Sequence, residues 1–325
     1  MAKLIDSPAH LEFEAAIRAL QRDWSFLSPR LRTLDHTVST NCANLNLRLH
    51  YPAIRQAQPM VESLIDALGN FIAHFALPRA EIEEVYARKD ALDPFDFHAE
   101  LTRLNDRARE LFQKARPDSG EAGELILYIL TEWILEAPQI VAKMSLKTSS
   151  AMPVYGSDGV HVKFDSATNR LMIYSGEAKL HKDVRSAIKS AVESIGNALS
   201  FDKMKHELEL VQRNVQFSGL DEKARRALLR YLDPFSEESN DRLEVVTCLI
   251  GFNFEAYLDV AKLGDKAEEA FQDLASKHLS DLGPAMATAL EGAGLENSHV
   301  ELFFLPLPSV QDVRDRFKNF IGPKA

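Results

Sequence analysis

Residues 154–180, VYGSDGVHVKFDSATNRLMIYSGEAKL, decide how the chain is read. VHVKF at 160–164 alternates apolar and polar residues, LMIYS at 171–175 is β-branched and aromatic, and DSATNR between them is turn chemistry. The segment therefore predicts an antiparallel hairpin. Side chains alternate across a strand, so the register decides which of them share a face. With Phe164 opposite Leu171, each outward step joins Val162 to Ile173, Val160 to Ser175 and Asp158 to Glu177. Lys179 points to the same side, and a single β-bulge would shift the pairing by one residue.

An Asp, a Glu and a Lys would then converge on a face otherwise made of Val160, Val162, Phe164 and Ile173. Such groups are costly beside apolar surface unless they are paired or bind a metal. Two carboxylates can hold a hard divalent cation through oxygen, and a nearby ammonium can polarise the attacking water or the developing charge. That is the equipment of phosphodiester hydrolysis. Two plainer readings stand beside it: E-x-K recurs by chance in charged sequences, and Asp158 before Gly159 also fits a simple turn with a solvated carboxylate.

Four blocks carry a resemblance: GELILYIL at 123–130, KMSLKTSS at 143–150, GSDGVH at 156–161 and GEAKL at 176–180. In this order and spacing they resemble the PD-(D/E)xK nuclease superfamily, and more narrowly HamA, the nuclease effector family of the Hachiman anti-phage defence system. The resemblance is clearest over residues 116–200 and extends more weakly to the C-terminus. It implies an α/β fold with a restriction-endonuclease-like three-layer core and a mixed sheet. It also implies cleavage of DNA and a superfamily 2 helicase partner encoded with the chain. Matched position by position, Asp158, Glu177 and Lys179 form the catalytic set. Mg2+ or Mn2+ would be held by Asp158, Glu177 and the backbone carbonyl of Ala178. Glu124, on the helix before the first core strand, matches a carboxylate that often completes such a site. An acid in a first turn is equally favourable against the helix dipole. Glu132, two turns on, is the weaker substitute.

The net charge of −10 argues at first against a nucleic-acid binder, but its distribution matters more. Residues 1–142 carry −6, residues 143–230 carry +5 and residues 231–325 carry −9. The one positive third holds the candidate site, as a phosphate backbone requires. Lys143 and Lys147 upstream of the hairpin, and Lys182, Arg185 and Lys189 on the helix expected at 181–199, are the candidate DNA contacts. A solvated face is their default role. The acidic flanks suit a protein partner better than DNA.

Cys42 and Cys248 are the only cysteines, which indicates no disulfide framework and suits a reducing cytoplasm. The start MAKLIDSPAHLEFE does not read as a signal peptide, and LILYILTEWIL at 125–135 is too short to span a membrane. No P-loop motif occurs, so ATP-driven work would fall to the partner.

Along the chain, helices are expected at 8–24, 59–77, 80–88 and 97–115, with LNLRLHY at 45–51 alternating like a strand. The turn cluster RPDSG at 116–120 is the expected boundary between a mainly helical N-terminal domain, 1–115, and a nuclease domain, 116–325. The scattered His10, His36, His50, His74 and His98 read as structural or surface residues, and His161 as structural. Strands are expected at 242–254 and 299–309, around a helical stretch at 265–292 broken at Gly283 and Pro284. A nuclease-like scaffold that only docks a partner is the main alternative, and a phosphoesterase acting on nucleotides or RNA the second. Intact Asp158, Glu177 and Lys179 argue against the scaffold.

Overall fold

The computed structural model of the chain describes residues 8–114, 120–146 and 159–322. The N-terminal stretch supplies α1 (Pro8–Arg18), β1 (Leu31–Thr33), β2 (Leu45–Pro52), and the short pair β3 (Ile54–Arg55) and β4 (Gln58–Pro59). It continues with α2 (Val61–Gly69), α3 (Ile72–Ala76), α4 (Arg79–Ala87) and α5 (Pro94–Lys114). Next come α6 (Glu121–Ile134), β5 (Gln139–Val141), β6 (Val160–Asp165), β7 (Arg170–His181) and α7 (Val184–Ala198). The chain closes with α8 (Phe201–Asn214), α9 (Glu222–Leu232), β8 (Arg242–Asn253), α10 (Ala256–Val260), α11 (Ala267–Gly292), β9 (His299–Leu307) and α12 (Val310–Ile321). Among the described residues no helix is long and apolar enough to cross a membrane.

Seven strands form one mixed sheet in the order β1-β2-β9-β8-β7-β6-β5. β2, β9, β8 and β7 run parallel, whereas β6 and β5 return antiparallel beyond β7. The hairpin register is the one the alternation predicts: Phe164 faces Leu171, Val162 faces Ile173 and Val160 faces Ser175. The irregularity that could have shifted it lies instead between Gln139 and Val141, on the β5–β6 side.

The sheet is the middle of three layers. On one face, residues 125–132 of α6 are buried without a break, and they pack with α2, α3, α5 and α12 over Tyr174, Leu180, Leu249 and Phe303. On the other face α7 and α11 cover Val246, Cys248, Ile250, Leu302 and Phe304. Further along that second face, α1, α8 and α9 cover Val160, Val162, Phe164 and Ile173. Each fully buried Leu, Ile, Val or Phe contributes about 1.5–3 kcal/mol. The two apolar clusters on the second face are separate, and the gap between them falls over the C-terminal half of β7.

The boundary expected at 115/116 does not separate two units. β2 hydrogen-bonds to β9 from Leu45↔Val300 to Leu49↔Phe304, and α2, α3 and α5 share the α6 core. The N-terminal region is mainly helical, as expected, but it completes the same sheet.

Other differences have local causes. The helix expected over 59–77 is divided, with α2 ending at Gly69 and Asn70 as its C-cap. Gly69 allows α12 to approach, because a Cβ there would lie 2.2 Å from the Phe320 ring. α11 runs through Pro284 unbroken. Pro284 and Ser280, the residue whose carbonyl loses its donor, both face solvent, so water can take the carbonyl. β9 likewise continues through Pro306, which pairs with Phe252 beyond the last β2 partner, Phe304, so its missing N–H breaks no ladder on that side.

Candidate active site

β7 is the strand at which the sheet changes sense, parallel to β8 and antiparallel to β6. Among the described residues the β6 pairing ends at Val160↔Ser175, whereas β8 accompanies β7 on to His181. Residues paired across parallel strands share a face, so Glu177 beside Cys248 and Lys179 beside Ile250 look to the α7 side. They emerge where the two apolar clusters of that face part.

Lys179 Nζ forms an ion pair with Glu177 Oε1, with side-chain exposures of 21% and 26%. Ser194 of α7 donates its hydroxyl to the same carboxylate oxygen at 3.4 Å. Among the described residues Glu177 Oε2 takes no hydrogen bond. A pocket of about 320 Å³ opens here, floored by Ser175, Gly176 and Glu177 and walled by Ser194 and Asn197 of α7 and Lys203 and Glu207 of α8. At the end of β7, His181 is held below its ordinary pKa, by burial first and then by the Lys179 and Arg314 cations.

The opposite face of this strand end is clamped by α6. A Cβ on Gly123 would lie 3.1 Å from Ala178 Cβ and 3.2 Å from Leu180 Cγ, so α6 sits closely against β7 at this point. Glu124 is the next residue, half-buried in the first turn of α6. The structure thus brings Glu124 and Ala178 to the same end of the strand as Glu177 and Lys179. Asp158 and Lys147 lie outside the described residues.

Lys143 is corrected. It is 2% exposed and ion-paired with Glu207 of α8, so it is no surface contact for DNA. Lys182, Arg185 and Lys189 are exposed as a DNA contact requires, but Lys182 precedes α7. Asp183 is the N-cap, accepting from the Ser186 backbone N–H at 2.8 Å, so the helix starts at Val184.

Glu132 is structural. It is 2% exposed and accepts from Trp24 Nε1 at 3.1 Å and from the Gln139 backbone N–H at 3.0 Å. Burial holds its carboxyl above the usual range. His161 is also structural, with Nδ1 2.9 Å from the Ala137 carbonyl. Because a carbonyl only accepts, Nδ1 carries the proton.

Sequence reasoning missed Ser194, Asn197, Lys203 and Glu207. The available signal was the connection: α7 follows β7 after only Lys182 and Asp183, so it must fold back over the strand.

The pocket lining combines the Glu177 and Glu207 carboxylates, each ion-paired to a lysine, with the hydroxyls of Ser175 and Ser194, the Asn197 amide and the Lys203 ammonium. Among the described residues no group of three or more His, Cys, Asp or Glu could hold a metal ion.

A family model described as HamA matches residues 29–321, nearly the whole chain. The match reaches much further toward the N-terminus than the four blocks and crosses the expected domain boundary, in keeping with the shared sheet. No curated protein matches the chain.

Proposed function

The chain belongs to the HamA family, and from that premise we propose that it is the metal-dependent nuclease of a Hachiman defence complex, cutting DNA phosphodiester bonds. Family membership gives it a Hachiman defence-related role. The observation that supports catalysis is the Glu177–Lys179 pair, set in the C-terminal half of β7 beside a pocket that Glu177 itself lines.

Asp158 and Glu177 would hold Mg2+ or Mn2+, with the Ala178 carbonyl and Glu124 as further candidates. When bound, the cation supplies neutralisation of charge at phosphorus and on the leaving 3′-oxygen. Lys179, on the same face, donates a hydrogen bond that orients the attacking water and offsets the developing negative charge. Lys182, Arg185 and Lys189 would track the backbone of the incoming DNA, each as a point charge on phosphate.

A superfamily 2 helicase encoded with the chain is the proposed partner. The acidic flanks, −6 over residues 1–142 and −9 over residues 231–325, disfavour tight binding of DNA by the chain alone. Cleavage of plasmid and linear DNA by wild type and Glu177→Ala, with and without the helicase and ATP, tests the reading. Metal-dependent cutting lost in the variant supports the nuclease, and cutting only beside the helicase makes it a gated effector. Equal behaviour of folded wild type and variant under every condition would leave a scaffold.

A further inference from the structure

We infer that the tip of the α4–α5 hairpin is a docking surface for a partner protein, with Phe95 as the anchor that enters an apolar socket rimmed by lysine or arginine. The role rests on the reading of this chain as one subunit of a complex, and it holds whether or not the chain cuts DNA.

The tip stands away from the core. Val85 is the last buried residue of α4 and Leu104 the first of α5, and none of residues 86–103 between them is buried. A helical stretch that the fold leaves open is expected to be polar, yet this one holds Tyr86, Leu92, Phe95, Phe97 and Leu101. Phe97 and Leu101 continue the stripe of Leu104, Ala108 and Phe112 and pack partly against the core. Phe95 does not. It lies about half a turn from Phe97, on the outer side of α5, and it is 87% exposed. A helix apolar on more than one side is suited to being enclosed, so the tip fits a concave partner rather than a flat one.

The tip is set before it binds. Asp93 caps α5, accepting from the backbone N–H of Phe95 at 2.8 Å and of Asp96 at 3.1 Å, and Pro94 opens the helix. Arg88 reaches across the turn to Glu100 at 3.3 Å, and the Tyr86 and Phe97 rings meet edge to face with centroids 5.9 Å apart. An aromatic presented on a fixed helix start loses little freedom on burial, as the anchors of protein interfaces require.

Charge names the occupant. Residues 89–100 carry Asp90, Asp93, Asp96 and Glu100, with Lys89 as their only lysine or arginine. Arg88 and Arg103 take up Glu100, which leaves three aspartates flanking Phe95 in sequence. Asp96 is held above its ordinary pKa by its hydrogen bond with Asp93 and then by the Asp93 charge, a repulsion that a facing cation relieves. DNA, a polyanion, is disfavoured here. A protein surface with lysine or arginine around an apolar socket complements the tip.

The helicase encoded with the chain is the probe. Its binding to the full chain is followed by biolayer interferometry for wild type, Phe95→Ser, the double variant Asp90→Lys with Asp96→Lys, and Phe235→Ser, which alters a second exposed phenylalanine elsewhere. Circular dichroism melts accompany each. Phe95→Ser is expected to weaken binding at least about tenfold through faster dissociation, and the charge reversal to slow association. All melts, and binding by Phe235→Ser, are expected to match wild type. Phe95→Ser binding as tightly as wild type, or no more weakly than Phe235→Ser, would overturn the surface while the complex stands. Wild type that does not bind the helicase at all would overturn complex and surface together. A wild-type dimer in sedimentation velocity that Phe95→Ser dissolves would give the tip to a second copy of this chain and overturn the assignment to a partner.

Discussion

The Lys179 ammonium is ion-paired to the Glu177 carboxylate two positions earlier on the same strand and the same face of the sheet. At exposures of 21% and 26% the pair is still reached by solvent, and pairs of this kind contribute at most about 1 kcal/mol to folding. Lys179→Met is therefore expected to keep its melting temperature within about 4 °C of wild type. DNA cleavage by the same variant is expected to fall at least about a hundredfold. Melting curves and cleavage rates on the same preparations check both, and a collapsed melt would show the pair to be structural.

Lys143 and Glu207 behave in the opposite way. Their ion pair is 2% and 7% exposed, and removing one partner from a buried pair costs about 3–5 kcal/mol. Lys143→Met should lower stability in urea by that order, and adding Glu207→Leu should recover most of it. A single variant with no loss of stability would contradict the burial.

His161 makes folding sensitive to acid. Burial lowers its pKa to about 4 from an ordinary 6.5, against the opposing effect of its bond to Ala137. The unfolded chain therefore takes up a proton below about pH 6.5 that the folded chain refuses until about pH 4. Its contribution to stability is full above 6.5 and is lost as pH falls toward 4. His161→Asn keeps an N–H for the Ala137 carbonyl and does not titrate, so its stability between pH 6.5 and 4 should fall less steeply than that of wild type. Unfolding midpoints measured across this range decide the matter.

The exposed Lys182, Arg185 and Lys189 should act through phosphate alone. Replacing all three by Ala is expected to weaken DNA binding with little regard to sequence, and to reduce the slope of log affinity against log salt by about two to three. Binding by fluorescence anisotropy at several salt concentrations measures it. An unchanged slope would place the DNA path elsewhere.

The hairpin was legible because period-two alternation over 160–175 allows only one register that buries Val160, Val162 and Phe164 together. α6 was legible because its residues are apolar on nearly every side. β1, β3 and β4 were not, since strands of two or three residues carry no periodicity. The joining of β2 to β9 was hidden for another reason: partners some 250 positions apart leave no local signal, and an amphipathic strand reads alike in any sheet. In the site, Glu177 and Lys179 were legible from E-x-K on a strand. The placement of Ser194 beside Glu177 was not, because it follows from the length of the β7–α7 link rather than from a motif. Lys143 was misread because a lysine looks solvent-exposed until a distant Glu207 is brought beside it.

Plasmid cleavage in Mg2+ by wild type and by Glu177→Gln, each with and without EDTA and each with and without the partner helicase and ATP, decides whether Glu177 and a bound cation carry the cutting. The Gln variant keeps the shape of the side chain and removes its charge. Wild type is expected to cut, EDTA to abolish the cutting, and Glu177→Gln to cut at least about a hundredfold more slowly, with both proteins melting alike. Cutting that survives EDTA, or that Glu177→Gln performs as well as wild type, would contradict that role.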